Sequence, residues 1–195
     1  MSRLDEYVAG AVSTESTIDE VKVNKQFLTQ ILSMHIATGN ILDQIKKHAF
    51  YNREYNYAAI DHNIVTVGKN LTTLSMLTVD DLSDAETTLD IDPRIFHALL
   101  GAATESVELL EALEFNGADM DLVNIGEEFG DLNWYQAIFC DAAGIKWDDI
   151  LEVNAQKLLK SDKARYKDGF SNEDANERNL TDEREVLDKL KIKSS

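Results

Sequence analysis

Cysteine is nearly absent from this chain. Cys140 is the sole one in 195 residues, so no intrachain disulfide holds the fold together. Proline is equally rare: Pro93 stands alone, and the nine glycines are scattered, leaving long stretches without a helix breaker. Strand-like alternation is hard to find. Ile64-Val65-Thr66-Val67 is the best case, and it is short. No segment approaches the ~18 continuous apolar residues of a membrane span. The opening MSRLDEYVAG also lacks the apolar run of a signal peptide. Positive charge is scarce as well, with 19 Lys and Arg against 36 Asp and Glu and a net charge of −17. Such a balance disfavours binding to a nucleic acid polymer or an anionic membrane, because phosphates are repelled. It suits a protein that collects metal cations. The expectation is a soluble, cytoplasmic protein.

What is present points to helices. The 44% hydrophobic content is spread along the chain, which argues against global disorder and provides for one domain with a sizeable core. Apolar periodicity predicts an all-α protein with helices at Leu4–Val12, Lys25–Phe50, Asp61–Leu77, Arg94–Glu114, Asp121–Ala143, Asp148–Leu159 and Asp182–Lys191. Asp92 is suited to cap the fourth of these, with Pro93 at its first position, and Gly144 to close the fifth. The acidic stretch Leu77–Asp92 reads as a linker between two helical pairs. The domain reading is an N-terminal helical region over 1–92, a catalytic region over 93–180 and a charged tail over 181–195.

The candidate chemistry lies in four carboxylates. Glu105-Ser-Val-Glu108 and Glu128-Phe-Gly-Asp131 each have i, i+3 spacing, so each pair projects from one side of a helix. Such pairs are usually solvated decoration. Helical phase, at about 100° per residue, argues otherwise here. Glu105 falls between Ala98 and Ala112 inside an apolar arc, and Glu108 borders it. Glu128 falls near the centre of the next helix's apolar face, with Asp131 between Ile138 and Ala142. Glu111 and Glu127 fall outside these arcs. Grouped, buried carboxylates raise one another's pKa and are costly without a cation. Hard oxygen donors suit Mg²⁺ or Mn²⁺. A di-iron centre would want Glu-x-x-His pairs, of which there are none, and zinc would want more sulfur or clustered histidine.

Basic residues concentrate in one place: Lys157, Lys160, Lys163, Arg165 and Lys167. They read either as charges complementing a helix C-terminus or as a phosphate clamp, with Asn154 and Lys157 spaced to reach one ligand. Trp134 reads as core, interface or base-stacking. His35 and His97 read as packing or surface residues, and Cys140 as a small buried hydrophobe.

The run Thr104-Glu-Ser-Val-Glu-Leu-Leu-Glu-Ala-Leu, followed by Asn124-Ile-Gly-Glu-Glu-Phe-Gly-Asp-Leu-Asn-Trp-Tyr, resembles the all-α nucleotide pyrophosphohydrolases of the MazG type. These are related to dimeric dUTPases. The resemblance runs through Ala143-Gly-Ile, Asn154-Ala-Gln-Lys-Leu, Lys163-Ala-Arg-Tyr-Lys-Asp-Gly-Phe and Ala175-Asn-Glu-Arg, from about Phe96 to Arg178. It implies a helical bundle with a four-helix core plus a C-terminal helix and tail. It implies Mg²⁺-dependent cleavage of a nucleoside or deoxynucleoside triphosphate to the monophosphate and pyrophosphate, which would control dNTP pools. It implies metal ligands Glu105, Glu108, Glu128 and Asp131, with Glu127 or Glu111 orienting water. Asn154, Lys157, Arg165 and Lys167 would meet the phosphates, and Trp134 the substrate. It implies a homodimer or dimer of dimers. Related small proteins occur in phages, which would place such an enzyme in the host cytoplasm. Val107 and Asn133 depart from the family pattern and would reshape the nucleotide pocket.

The N-terminal half also echoes the second. Ala37 and Asn40 would take the places of Glu105 and Glu108, and Val67 and Asn70 those of Glu128 and Asp131. Such a copy keeps its helices and loses the metal, and His48, Tyr51, Asn52 and Arg53 would then line the nucleotide pocket. Two rival readings stand beside the hydrolase. One is a non-catalytic acidic helical protein that mimics nucleic acid; the other is a phosphohydrolase acting on a different pyrophosphate, such as a phosphoribosyl-nucleotide.

Overall fold

The computed structural model describes residues 2–84, 86–113 and 120–190. The protein is all-α, with nine α-helices and one short two-stranded sheet among the described residues. The chain divides into two compact units that cut across the sequence-based domain limits. Unit 1 is Met1–Glu20, Ile91–Ala164 and Thr181–Ser195; unit 2 is Val21–Asp90 and Arg165–Leu180. The first helix therefore belongs with the carboxylate-bearing helices and not with the rest of the N-terminal region.

Three helices position the site in unit 1, and each starts on a side-chain cap. In α1 (Arg3–Ser13), Ser2 and Asp5 form a reciprocal capping box. In α5 (Pro93–Glu111), Asp92 Oδ1 accepts from the backbone N–H groups of Arg94 and Ile95 at 2.9 and 3.0 Å, and Pro93 fills the first helical position. In α6 (Leu122–Ala142), Asp121 caps in the same way, accepting from Val123 and Asn124 at 3.0 Å. Gly144, at φ 63°, provides the left-handed residue that turns the chain after α6. The expected end of α5 at Glu114 lies outside the described residues.

The core of unit 1 sets three buried alanines, Ala11, Ala98 and Ala137, beside the buried Ile138, and Tyr7, Val8, Trp134, Tyr135, Phe139 and Trp147 close around them. Alanines at the crossing points let α1 and α5 approach α6 closely. Gly101 is the tightest approach. A Cβ there would lie 2.2 Å from the ring of Tyr135, so only glycine admits that ring. Arg94 ties the unit together at the surface. Its guanidinium donates to both oxygens of Glu15, and to Asp141 at 2.7 Å. Those two carboxylates hold Arg94 well above its ordinary pKa. Unit 1 continues through α7 (Trp147–Ala155) into a π-helical turn at Gln156–Lys160, where a plain α-helix to Leu159 was expected.

Unit 2 is built on α2 (Lys25–Tyr51) packed along α3 (Tyr57–Leu74). Asn56 accepts from Ala59 N–H at 3.1 Å and starts α3 four residues ahead of the expected Asp61. The Leu77–Asp92 stretch is not a bare linker. It carries α4 (Val79–Asp84), started by a reciprocal pair of hydrogen bonds between Thr78 and Asp81, and a strand β2 (Glu86–Thr88) that pairs antiparallel with β1 (Lys22–Asn24). A short helix α8 (Asn172–Asn176), unexpected from the sequence, docks on α2 through Asn176 Nδ2, which donates to Tyr51 O at 3.1 Å. The last helix, α9 (Leu180–Leu187), begins in unit 2 and runs into unit 1. It starts close to the expected position; Lys191 lies outside the described residues. No helix among them is long and apolar enough to cross a membrane.

Candidate metal centre

The centre stands where α5 packs along α6. Glu105, Glu108 and Glu128 bring carboxylate oxygens within 4.8 Å of one another. Glu105 and Glu128 retain only 9% and 8% of their exposure, while Glu108 is exposed at the rim. No ion pair joins any of the three, or Asp131, to a lysine or arginine among the described residues. Three acids are thus held together with no lysine or arginine paired to them among the described residues.

The electrostatic consequence is direct. Burial, and then the charges of Glu108, Asp131 and Glu128, pushes the Glu105 carboxyl above the usual carboxylate range. Burial, and then Glu108, Glu127 and Asp131, does the same to Glu128. The contact between the two carboxyls adds to the rise at Glu105 and opposes it at Glu128. Two tyrosines stand against the cluster. Burial and then Glu105, Asp131 and Glu108 raise the Tyr135 hydroxyl, while burial and then Asp131 raise that of Tyr7. Both remain protonated donors at neutral pH. Tyr7 uses its proton on the carbonyl of Gly130, at 3.2 Å.

The residues present fit a small, hard divalent cation. Oxygens bound to one octahedral Mg²⁺ at about 2.1 Å stand about 3.0 Å apart when cis and about 4.2 Å apart when trans, so side-chain movements on the order of 1 Å bring the three to coordination distance. The donor set is all oxygen, with no histidine or cysteine, which favours Mg²⁺ or Mn²⁺ over zinc.

Phase on the helix anticipated the burial of Glu105 and Glu128 and the edge position of Glu108 but misjudged Asp131. Asp131 was placed inside the apolar face; it is exposed and lies outside the grouped set. One turn beyond it, Tyr135 occupies the helix interface against Gly101, which leaves Asp131 at the rim, where its charge still reaches Glu105, Glu128 and Tyr7. Glu108, the edge residue, reaches the group because a glutamate is long enough to lean inward. Glu127 is exposed next to the cluster, and Glu111 is exposed at the end of α5. Leu99 and Leu110 on α5 and Phe129 on α6 are exposed too.

The remaining expected residues fall in several places. Asn154 is exposed on α7, and Lys157 is half-buried in the π turn with no ion pair among the described residues. Lys160 is bound to Glu152 at 2.8 Å, and Lys163 to Asp182 and Glu185 at 2.7 and 2.8 Å, so these two cations are engaged. Arg165 and Lys167 belong to unit 2, where the Arg165 guanidinium lies 5.7 Å over the Tyr166 ring. Trp134 serves packing: its indole N–H donates to Thr14 Oγ1 at 3.1 Å, and its ring meets Tyr7 edge-on at 5.3 Å. His97 packs edge-on against Tyr135, His35 is exposed, and Cys140 is buried. Gly101 and Tyr7 were not identified from the sequence. Gly101 had a readable signal, a glycine in the apolar arc one turn before Glu105; Tyr7 had none.

The helix pair of unit 2 carries amides where the echo of the first half set them. Asn40 donates to Asn63 Oδ1 at 3.3 Å, and Asn70 donates to Ser33 Oγ at 2.8 Å. Ala37 is buried and Val67 half-buried, so these positions offer no charged ligand. His48 stacks on Tyr55 with centroids 4.2 Å apart, and its Nδ1 is 3.0 Å from Arg53 O; Tyr51 packs on Phe170, and Asn52 closes α2 at φ 50°. All four residues serve the local structure of unit 2.

Comparison with models of protein families, with curated proteins and with solved structures finds no match for this chain.

Proposed function

We propose that this protein is a Mg²⁺-dependent nucleotide pyrophosphohydrolase that converts a nucleoside or deoxynucleoside triphosphate to the monophosphate and pyrophosphate. One observation carries the reading: three glutamates from two packed helices converge within 4.8 Å, two of them buried, with no cation beside them. Charges that cost folding energy are retained for a purpose outside folding. The motif resemblance to MazG-type enzymes supplies the reaction.

Glu105, Glu108 and Glu128 would hold a divalent cation, with Asp131 adding negative charge from the rim; such an ion would supply neutralisation of phosphate oxygens and acidification of water. Glu127, adjacent to Glu128 in the chain, is the residue assigned to orient the attacking water, with Glu111 as the alternative. The α–β phosphoanhydride breaks; water supplies hydroxyl to one phosphoryl group and a proton to the released oxygen. Lys157 and Asn154 are the phosphate contacts that unit 1 offers. The proposed role is control of dNTP pools in the cytoplasm, with Mn²⁺ able to replace Mg²⁺.

We also propose a homodimer or dimer of dimers. Leu122 and Val123, adjacent at the start of α6, are 72% and 83% exposed, apolar side chains that association would cover. A nucleic-acid mimic would display its acids outward along a surface. Here Glu105 and Glu128 point inward, which favours the hydrolase.

The test is product identification. The protein is incubated with a panel of NTPs and dNTPs in Mg²⁺ or EDTA, and products are read by ³¹P NMR. Monophosphate and pyrophosphate formed only with metal, and lost in Glu128→Ala with helical content retained, are the expected outcome. Orthophosphate with a diphosphate overturns the cleavage site, and no turnover across the panel overturns the hydrolase reading.

A further inference from the structure

Unit 1 contains a second feature suited to a ligand. A cleft of ≈ 620 Å³ opens between α1, α6 and α7, walled by Tyr7 and Trp147 and flanked by Leu4 and Leu151. Its volume falls within the usual range for small-molecule sites, about 300–1,000 Å³. Asn133 and Gln136, one turn apart on α6, line it together with Arg3. None of these three polar side chains enters a hydrogen bond or ion pair among the described residues. A Cβ on Gly130 would meet nothing within 4 Å, so the side of the cleft at α6 is left open there. Tyr7 is fixed in place. Its hydroxyl donates to Gly130 O at 3.2 Å, and its ring meets Trp147 at 5.8 Å with planes 61° apart.

We infer that this cleft binds a nucleobase, with Tyr7 and Trp147 as its apolar walls and the Asn133 and Gln136 carboxamides reading its polar edge. Each carboxamide offers two donors and one acceptor, the complement of a base edge, and aromatic walls accept the face of any base. A lipid chain would leave both amides and Arg3 unpaired. An inorganic anion would use Arg3 and waste the aromatic walls. The net charge of −17 disfavours polyanionic ligands and leaves a neutral nucleoside unaffected.

The polar edge of the cleft faces away from the carboxylate centre, while Tyr7, raised by the Asp131 charge, borders both. At about 100° per residue, Asn133 lies about 170° around α6 from the midpoint of Glu128 and Asp131. The inference stands on the cleft alone and not on the hydrolase reading. The base comes either from a second nucleoside or nucleotide or from the substrate itself.

The test uses the full chain and five ribo- or deoxyribonucleosides, adenosine, guanosine, cytidine, uridine and thymidine, titrated calorimetrically in EDTA. Binding of at least one, weakened about 10-fold or more in N133A/Q136A, is expected. Both substituted residues are exposed, so the double variant should melt with the wild type, and its Mg²⁺-induced stabilisation should be unchanged. No binding at about 10 mM nucleoside, or equal binding by the double variant, overturns the inference. Nucleoside binding without triphosphate turnover leaves the cleft standing and removes the hydrolase reading; turnover without nucleoside binding does the reverse. A non-hydrolysable triphosphate with Mg²⁺ separates the sources. Displacement of the nucleoside one for one assigns the cleft to the substrate's base, and simultaneous binding assigns it to a second molecule.

Discussion

Replacing Glu105 with Gln should stabilise the metal-free protein and abolish its response to Mg²⁺. Glutamine keeps the shape of the side chain and can donate to Glu128, but it removes one charge from a cluster whose oxygens lie within 4.8 Å. Two full charges at that distance repel by about 3.5 kcal/mol at an effective dielectric of about 20. Exposure of Glu108, salt screening and the upward shift of the Glu105 carboxyl reduce the net gain to about 1 kcal/mol. For a chain of this length that is a Tm rise of about 2–4 °C. The wild type behaves oppositely in metal. Mg²⁺ at about 100 times its dissociation constant adds about 2.7 kcal/mol, or about 5–10 °C. Thermal melts of both proteins, in EDTA and in Mg²⁺, read all four states. A lower Tm for Glu105→Gln in EDTA, or a Mg²⁺ shift equal to that of the wild type, would refute the reasoning.

Three further outcomes follow from the same geometry. The raised pKa of Glu105 means that the folded, metal-free protein binds its proton more tightly than the unfolded chain. Its contribution to stability is present below the ordinary glutamate pKa and is lost as pH rises through the folded value. The stability difference between wild type and Glu105→Gln in EDTA should therefore move against the wild type as pH rises from acid towards neutral, as denaturant melts at each pH would show. Asp131→Asn should raise the Mg²⁺ concentration needed for half-stabilisation about 10–100-fold, whereas Glu128→Gln should eliminate the response, because Asp131 stands outside the grouped set. Gly101→Ala should lower stability by about 1–3 kcal/mol in chemical denaturation, because the new methyl group meets the Tyr135 ring; Tyr135→Leu should restore part of that loss.

The sequence displayed the helices well where local chemistry decided them. Asp92, Pro93, Asp121 and Gly144 mark the ends of α5 and α6, and each does so through interactions with its own neighbours. It displayed poorly what depends on distant partners. Strand β2 exists because it pairs with β1, more than sixty residues earlier, and no alternation within Glu86–Thr88 announces it. The discontinuous units arise in the same way: α1 packs on α6, a contact that no local pattern encodes. The π turn at Gln156–Lys160 has no periodicity distinct from an α-helix over so few residues. At the site, phase alone separated the buried Glu105 and Glu128 from decoration. It placed Glu108 at the edge, where it is, and failed for Asp131, because angular position ignores the volume that Tyr135 fills. The cleft beside α1 was invisible for a simpler reason: Tyr7, Asn133 and Trp147 are distant in sequence and share no motif.

The most direct measurement is a Mn²⁺ titration followed by electron paramagnetic resonance, in which free Mn²⁺ gives the sharp signal. Wild-type protein should remove Mn²⁺ from solution in a fixed ratio to chain, and added Mg²⁺ should release it. Glu105→Gln and Glu128→Gln should leave the free signal intact. If wild type and both variants leave the same free Mn²⁺, the three converging glutamates do not form a metal centre.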